Sequence, residues 1–213
     1  GQITSDDPKT DRKGVLKAIK WLCEEFNGNP DTGIVLKTNL GRNTRLDREA
    51  TIELLGKIVP ERKNSFPRIH LVHGYLTDKE MVGLYKHPKI KAFVGLPCGE
   101  GFNLPALEAA AAGLPILMTN YSAHLDFLNK GKFVKIDYEL KPIPEEKVDN
   151  AIFMPGTKWA YPNERDFKKK VAKLRVSYDI PKQWATELQQ IILKEYSYEA
   201  IKPQYEELWA KLI

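Results

Sequence analysis

Cysteine is scarce in this sequence. Cys23 and Cys98 are the only two among 213 residues. Two are too few for a disulfide scaffold and suit a reducing compartment. No run reaches 18 apolar residues, so no membrane-spanning helix is expected, and the first 30 residues carry no secretory pattern. These absences lead us to expect a cytoplasmic protein. Repeats and low-complexity tracts are also missing, which excludes solenoids and disordered arrays. No Asp-x-Asp pair occurs, and His70 and His73 stand three apart in an extended run, facing opposite sides, so no motif demands a metal. Charge of one sign is not in great excess: 33 basic residues face 28 acidic ones, for a net charge of +5. The basic residues form no stripe with an aromatic platform, so nucleic acid is not an expected partner. Arg42, Arg45 and Arg48 read as a solvated face, with peripheral contact to an anionic membrane, or to a missing domain, as the alternative.

Apolar content is ample, at 42% hydrophobic residues, enough for a proper core. Short apolar runs alternate with helical periods. Asp11 is placed to cap a helix whose inward face is Val15, Ile19, Leu22, Cys23 and Phe26. A strand follows at 33–38, then a helix capped by Asp47 with Ile52, Leu55 and Val59 inward. Another strand runs over 69–73. Thr77 and Glu80 have capping-box spacing, with Leu76 and Met81 as a hydrophobic staple. Buried strands are expected at 90–96, 115–119 and 133–136. Residues 138–163, rich in proline and charge, read as an irregular connection. Three helices end the chain: one capped by Asn163 (Phe167, Val171, Leu174 inward), one opened by Pro181 (Trp184, Leu188, Ile191), and one carrying Tyr205, Leu208, Trp209 and Leu212, kinked or started by Pro203. Strand–helix alternation with short loops predicts one α/β domain, a Rossmann-like doubly wound parallel sheet of about six strands with C-terminal helices. The sequence opens almost on top of a short apolar strand, so a preceding portion is expected as well.

Residues 97–115, PCGEGFNLPALEAAAAGLP, carry the chemistry. Pro105 fits the first turn of a short helix and Gly113 its end, while Ala109–Ala112 let the helix lie close to the sheet. The helix would start where a parallel strand has just ended, and its unpaired N–H groups would favour an anion there. Glu100 and Glu108 flank this turn. A carboxylate only accepts hydrogen bonds, so it repels phosphate and suits sugar hydroxyls. A ligand with a diphosphate between two hydroxyl-bearing rings satisfies both features. The structural alternative is that an acid near a helix N-terminus is favourable by ~0.3–1 kcal/mol on dipole grounds alone.

The stretch GEGFNLPALEAAAAGLPILMTNYSAHLDFL resembles the signature of glycosyltransferase family 4, retaining enzymes of the GT-B architecture. The matching pattern is Glu100, seven residues, Glu108, a small-residue run, Gly113 and Pro115. IHLVHGYLTDKEMVGLY, DRKG at 11–14 and YSYEAIKPQYEELWAKL resemble further segments of the family. The resemblance implies that Lys13 contacts the donor diphosphate and that Glu100, the catalytic candidate, holds the transferred sugar. It also implies that the backbone of Gly101, Phe102, Asn103 and Leu104 lines sugar and phosphates, that Glu108 binds the ribose, and that Tyr75, Leu76 and Thr77 face the base. The sequence departs from the family pattern at Thr4 or Ser5, where an arginine is common, at Ser122-Ala123, where a glycine pair is usual, and at Cys98, where a serine is common.

On that resemblance the chain is the C-terminal, donor-binding half of a hexosyltransferase using a UDP-, GDP- or ADP-sugar, with the N-terminal acceptor domain absent and the fragment alone poorly active. The alternatives are a sugar-nucleotide-binding module without transfer, and a glycoside hydrolase using Glu100 and Glu108 as its carboxylate pair. An anion-seeking helix N-terminus argues against the hydrolase. No cofactor is implied beyond the nucleotide sugar. Lys37, at a strand end, is a further phosphate candidate; His124 is placed for packing or for ligand contact.

Overall fold

The computed structural model describes residues 2–39 and 41–212. Its first helix, α1 (Val15–Glu25), starts later than Asp11 would set it. Gly14 stands at the N-cap in the left-handed region, and Asp11 is instead a buried brace. The Asp11 carboxylate accepts from the Thr4 amide (3.1 Å), the Thr4 hydroxyl (2.7 Å) and the Leu16 amide (3.0 Å), tying the 2–14 loop to the first helical turn. Only glycine fits position 14. Its φ is +64°, and an added Cβ would lie 1.9 Å from the Leu96 carbonyl oxygen.

Strand β1 (Gly33–Thr38) pairs in parallel with β2 (Arg68–His73) over six registered residues. Between them α2 (Arg45–Ile58) is capped by Thr44 rather than Asp47. Asp47 is the third residue of a capping box, its carboxylate accepting from the Thr44 amide at 2.8 Å. The box that opens α3 (Asp78–Tyr85) is the one expected from Thr77 and Glu80. Next come β3 (Phe93–Gly95), α4 (Leu104–Ala111), β4 (Ile116–Thr119), the short α5 (Leu125–Leu128) and β5 (Val134–Ile136). Strands β3, β4 and β5 form a parallel sheet in that order.

The expectation of one parallel sheet of about six strands is corrected here. Among the described residues five parallel strands form two separate sheets, of two and three strands. The irregular connection expected at 138–163 also holds regular structure. Strands β6 (Tyr138–Pro142) and β7 (Lys158–Pro162) pair antiparallel, and Trp159 packs with Cys98 and Ile143 in a small cluster. Every residue of β6 is exposed, although Tyr138-Glu139-Leu140-Lys141 alternates apolar and polar residues.

The rest of the chain is helical: α6 (Glu164–Val176), α7 (Asp179–Glu195) and α8 (Tyr198–Ala210). Asn163 caps α6 and buries Phe167, Val171 and Leu174 as its period requires. In α7 Leu188 is buried as expected, but its buried companions are Ala185 and Ile192, while Trp184 and Ile191 are only half-buried. The large apolar residues that α8 carries, Tyr205, Leu208 and Trp209, are exposed, as is Leu212 just beyond the helix; Pro203 lies within the helix rather than at its start.

What positions the site is the packing of α4. Ala106, Ala109 and Ala110 are buried against Met118, Phe127, Leu188 and Ile192. The alanine methyls let α4 and α7 approach closely, and Gln189 donates to the Ala111 carbonyl at 2.8 Å. The N-terminus of α4 is thereby fixed beside the end of β3.

Candidate functional site

Two loops that lie 87 residues apart in the chain meet at the C-terminal end of β3. The Lys13 ammonium is paired with the Glu100 carboxylate, and the Arg12 guanidinium donates to the Gly99 carbonyl. The Cys98 amide donates to the Arg12 carbonyl at 2.8 Å, so the two loops are also stitched through backbone. Glu100 is deeply set, with its side chain 6% exposed, against 24% for Lys13. Ser122, at φ +83°, holds the Glu100 turn from the far side: its hydroxyl accepts from the Glu100 amide at 2.8 Å and lies 3.2 Å from the Glu100 carbonyl.

Immediately after Glu100 the chain turns into α4. Asn103 takes a left-handed φ of 71° and caps the helix, its side-chain oxygen accepting from the Ala106 amide at 3.2 Å. Pro105 has no N–H to give. Among the described residues no protein group accepts from the amides of Gly101, Phe102, Asn103 or Leu104. These donors sit at the positive end of the helix dipole, with Lys13 close by. A Cβ on Gly99 or Gly101 would meet nothing within 4 Å, so open space borders the turn.

Glu108 lies one turn along α4 and is exposed; the Tyr85 hydroxyl donates to its carboxylate at 3.1 Å. Burial, then the neighbouring Glu108 charge, push the Tyr85 phenol well above its usual range, so Tyr85 remains a donor. His124 is fully buried beneath the site, and its Nε2 donates to the Thr119 carbonyl at 2.7 Å. Among the described residues its Nδ1 has no hydrogen-bond partner. Burial lowers its pKa, with the Thr119 carbonyl and the Glu100 carboxylate acting in the opposite sense. Lys37 donates to the Gly74 carbonyl at 2.6 Å and to Asn39 at 2.8 Å, and burial lowers its pKa.

Most of the residues singled out in the sequence come together. Lys13, Glu100, Gly101, Phe102, Asn103, Leu104 and Glu108 border one cavity of ≈ 1290 Å³, which also reaches Lys37. The half-buried Phe102 ring packs on Phe127 and Tyr196, with centroids 5.4 and 6.4 Å apart. Tyr75, Leu76 and Thr77 do not border this cavity. Tyr75 is 83% exposed, and Thr77 is engaged as the α3 cap. Sequence reasoning missed Tyr85 as the partner of Glu108 and Ser122 as the anchor of Glu100. Ser122 stood out only as a departure from the family's glycine pair. Among the described residues no group of three His, Cys, Asp or Glu side chains is arranged to hold a metal ion, and no helix is long and apolar enough to cross a membrane.

No protein-family model matches the chain, and no curated protein matches it by sequence. Solved structures do match it in fold. The sucrose-phosphate synthase from Thermosynechococcus elongatus superimposes with a TM-score of 0.63 at 14% identity, over 99% of this chain and 44% of that one. Anabaena Alr3699/HepE in complex with UDP-glucose gives 0.61 at 11% identity, over 99% and 48%. An α,α-trehalose-phosphate synthase (UDP-forming) from Burkholderia vietnamiensis gives 0.61 at 11% identity, over 97% and 43%. The chain thus spans less than half the length of each of these proteins. At such identities the likeness is one of fold.

Proposed function

We propose that this chain is the donor-binding, C-terminal part of a retaining glycosyltransferase of the GT-B architecture, taking a nucleoside diphosphate sugar and passing the sugar to an acceptor hydroxyl. The observation that carries the reading is the Lys13–Glu100 pair set against the unpaired amides of residues 101–104. A cation and a helix N-terminus form an anion site, and a carboxylate at its edge suits sugar hydroxyls. The fold shared with proteins crystallised with UDP or UDP-glucose supports the donor class.

In this reading Lys13 and the 101–104 amides hold the diphosphate. Glu108, oriented by Tyr85, accepts from the ribose hydroxyls. Glu100 accepts from the transferred sugar and orients it, a role that counts most in the transition state. Acceptor binding belongs to the remainder of a longer protein, as the partial coverage of the similar structures suggests. Transfer by these 213 residues alone is therefore expected to be weak.

Isothermal titration with UDP, GDP and ADP, and with their glucose conjugates, tests the proposal. At 100 times its dissociation constant the correct nucleotide should also stabilise the fold by about 2.7 kcal/mol. Failure of all six ligands to bind, with the fold intact, would overturn the reading.

A further inference from the structure

The candidate site lies at the C-terminal end of β3. The opposite end of the three-stranded sheet, where β3, β4 and β5 begin, has a chemistry of its own. The segments that lead into β3 and β5, residues 86–92 and 129–133, contain Lys86, Lys89, Lys91, Lys130 and Lys132 and no acid. Lys130 is neutralised by Glu195 at 2.7 Å. Lys89, Lys91 and Lys132 are exposed, and among the described residues none of the three is in an ion pair.

The turn between α6 and α7, with the first turns of α7, gathers these lysines into one region. The Tyr178 hydroxyl donates to the Lys91 carbonyl at 3.0 Å, and the Lys91 ammonium lies 5.8 Å from the centre of the Tyr178 ring. The Lys182 ammonium donates to the Gly113 carbonyl, just ahead of β4, at 2.7 Å. The Lys132 ammonium lies 5.9 Å from the Trp184 ring, and both residues line one groove with Pro115 and Pro181. Val176 and Ile180 flank Tyr178 in sequence and project into solvent, 76% and 58% exposed. Asp179 stands between them in the first turn of α7, where the helix dipole favours an acid. A lone exposed aliphatic residue needs no explanation. Two on one short turn, beside Lys91 on one side and Lys182 and Lys132 on the other, make an apolar tip with a cationic rim.

We propose that this turn and its lysines are a docking face for an anionic lipid bilayer. The ammonium groups meet the negative headgroups, while Val176 and Ile180 enter the boundary between headgroups and acyl chains. The Tyr178 and Trp184 rings hold Lys91 and Lys132 in place beneath them. A nucleic acid would use the same charges but gains nothing from two aliphatic tips. The rings among these lysines are also half-buried, so they offer bases no stacking platform. Arg42, Arg45 and Arg48, the sequence-level candidates for membrane contact, form a different kind of surface. Asp47 and Glu49 interleave with them at the start of α2, and Arg45 is paired with Glu49 at 2.8 Å. Docking through the α6–α7 turn leaves the Lys13–Glu100 end of β3 turned away from the bilayer. The inference does not rest on the donor reading, and its test involves no nucleotide.

Vesicle co-sedimentation of this chain tests the proposal. It should bind phosphatidylcholine vesicles containing about one-third phosphatidylserine at least ~10-fold more tightly than vesicles of phosphatidylcholine alone, and salt should weaken that binding. Lys89→Gln, Lys91→Gln and Lys132→Gln should each weaken it about fivefold, and the triple variant roughly a hundredfold. Val176→Ser with Ile180→Ser should weaken vesicle binding about tenfold and leave binding to heparin, a polyanion without an apolar phase, unchanged. Two control variants should bind vesicles as the wild type does: Leu208→Ser with Trp209→Ser on α8, and the triple Arg42→Gln, Arg45→Gln, Arg48→Gln. All the substituted residues are exposed apart from the rim contacts described, and circular dichroism with a urea midpoint checks each fold. No preference for anionic vesicles would overturn the proposal. So would loss of binding in a control variant with the turn variants unaffected. Vesicle binding indifferent to the aliphatic pair and matched by heparin would overturn it too, by showing a polyanion site rather than a membrane face.

Discussion

Lys13 and Glu100 form a pair whose two members are unequally placed, and the inequality has measurable consequences. The carboxylate is 6% exposed and the ammonium 24%. Breaking a fully buried pair typically costs about 3–5 kcal/mol, because one charge is left without a partner or water. Exposed pairs are worth about 0–1 kcal/mol. This pair lies between those limits, and which partner is removed decides the cost. Lys13→Met leaves the deeply set Glu100 carboxylate alone, and we expect a loss of about 2–3 kcal/mol. Glu100→Gln leaves a lysine whose four-carbon stem can carry its ammonium to water, so the loss should be about 0.5–1.5 kcal/mol. The double variant should lose less than the sum, with a coupling of about 1–2 kcal/mol. Urea titration of the four proteins at pH 7 gives these values, provided the slopes agree. UDP binding should follow a different order. Lys13→Met should weaken it by about 1.5–3 kcal/mol, the range for a charge-assisted hydrogen bond. Glu100→Gln should leave it unchanged or strengthen it, since the carboxylate no longer competes for the ammonium. Additive stability losses, or a greater loss for Glu100→Gln than for Lys13→Met, would refute the argument.

Three other outcomes follow from the geometry. Gly14→Ala places a Cβ 1.9 Å from the Leu96 carbonyl at a φ of +64°, so stability should fall by about 2–5 kcal/mol from left-handed strain and overpacking together, read as a lower urea midpoint. Tyr85→Phe deletes the donor to Glu108 and should cost about 0.5–1.5 kcal/mol in stability with a comparable loss in UDP affinity; no change in either would mean that this bond is not formed in solution. His124 has a folded pKa below its ordinary value of 6.5, so the unfolded chain binds the proton first on acidification. Stability should therefore be fully present above pH 6.5 and fall below it, by at most about 1.4 kcal/mol per pH unit, and His124→Gln should flatten that part of the urea-midpoint profile between pH 7.5 and 5.5.

The chain was legible in sequence wherever local rules and burial agree. The α3 capping box, the Asn163 cap of α6 and the β1 and β4 runs are read directly, because each joins a short-range hydrogen bond or an apolar run to buried residues, and β2 is read from its apolar run although it is only half-buried. Asp11 and Asp47 misled for one reason. A carboxylate that accepts backbone amides near a helix start need not be the cap, and both serve as braces from neighbouring positions. The β6 strand was hidden because none of its residues is buried and its order comes from the antiparallel ladder with β7, a distant partner that the local sequence does not show. In α7 Leu188 was read correctly but its companions were not, because several neighbouring residues are apolar and the packing partners, Ala109 and Ala110 among them, decide which go inside. At the site, Glu100, Glu108 and the helix between them were visible as a local motif. Tyr85, 23 residues from Glu108, and Ser122, 22 residues from Glu100, were not, because only the fold brings them there.

The pairing of Lys13 with Glu100 bears on how one turn could serve both a phosphate and a sugar. The ammonium and the carboxylate neutralise each other, so the deeply set carboxylate is not left as an uncompensated charge. An arriving diphosphate offers the ammonium more negative charge than one carboxylate does, and the 101–104 amides add donors that Lys13 alone lacks. Movement of the ammonium toward the phosphate would release the Glu100 oxygens at the moment a sugar attached to that phosphate needs acceptors. A bare diphosphate would release them too, but would leave the carboxylate unpaired. On this argument the conjugated sugar gains twice: from its own hydrogen bonds and from relieving the carboxylate it uncovers. The preference for UDP-glucose over UDP should accordingly shrink in Glu100→Gln by more than one neutral hydrogen bond, about 1 kcal/mol, would account for. Paired titrations of the two ligands against the wild type and the variant measure that difference, and an unchanged preference would mean that Glu100 serves only to hold Lys13.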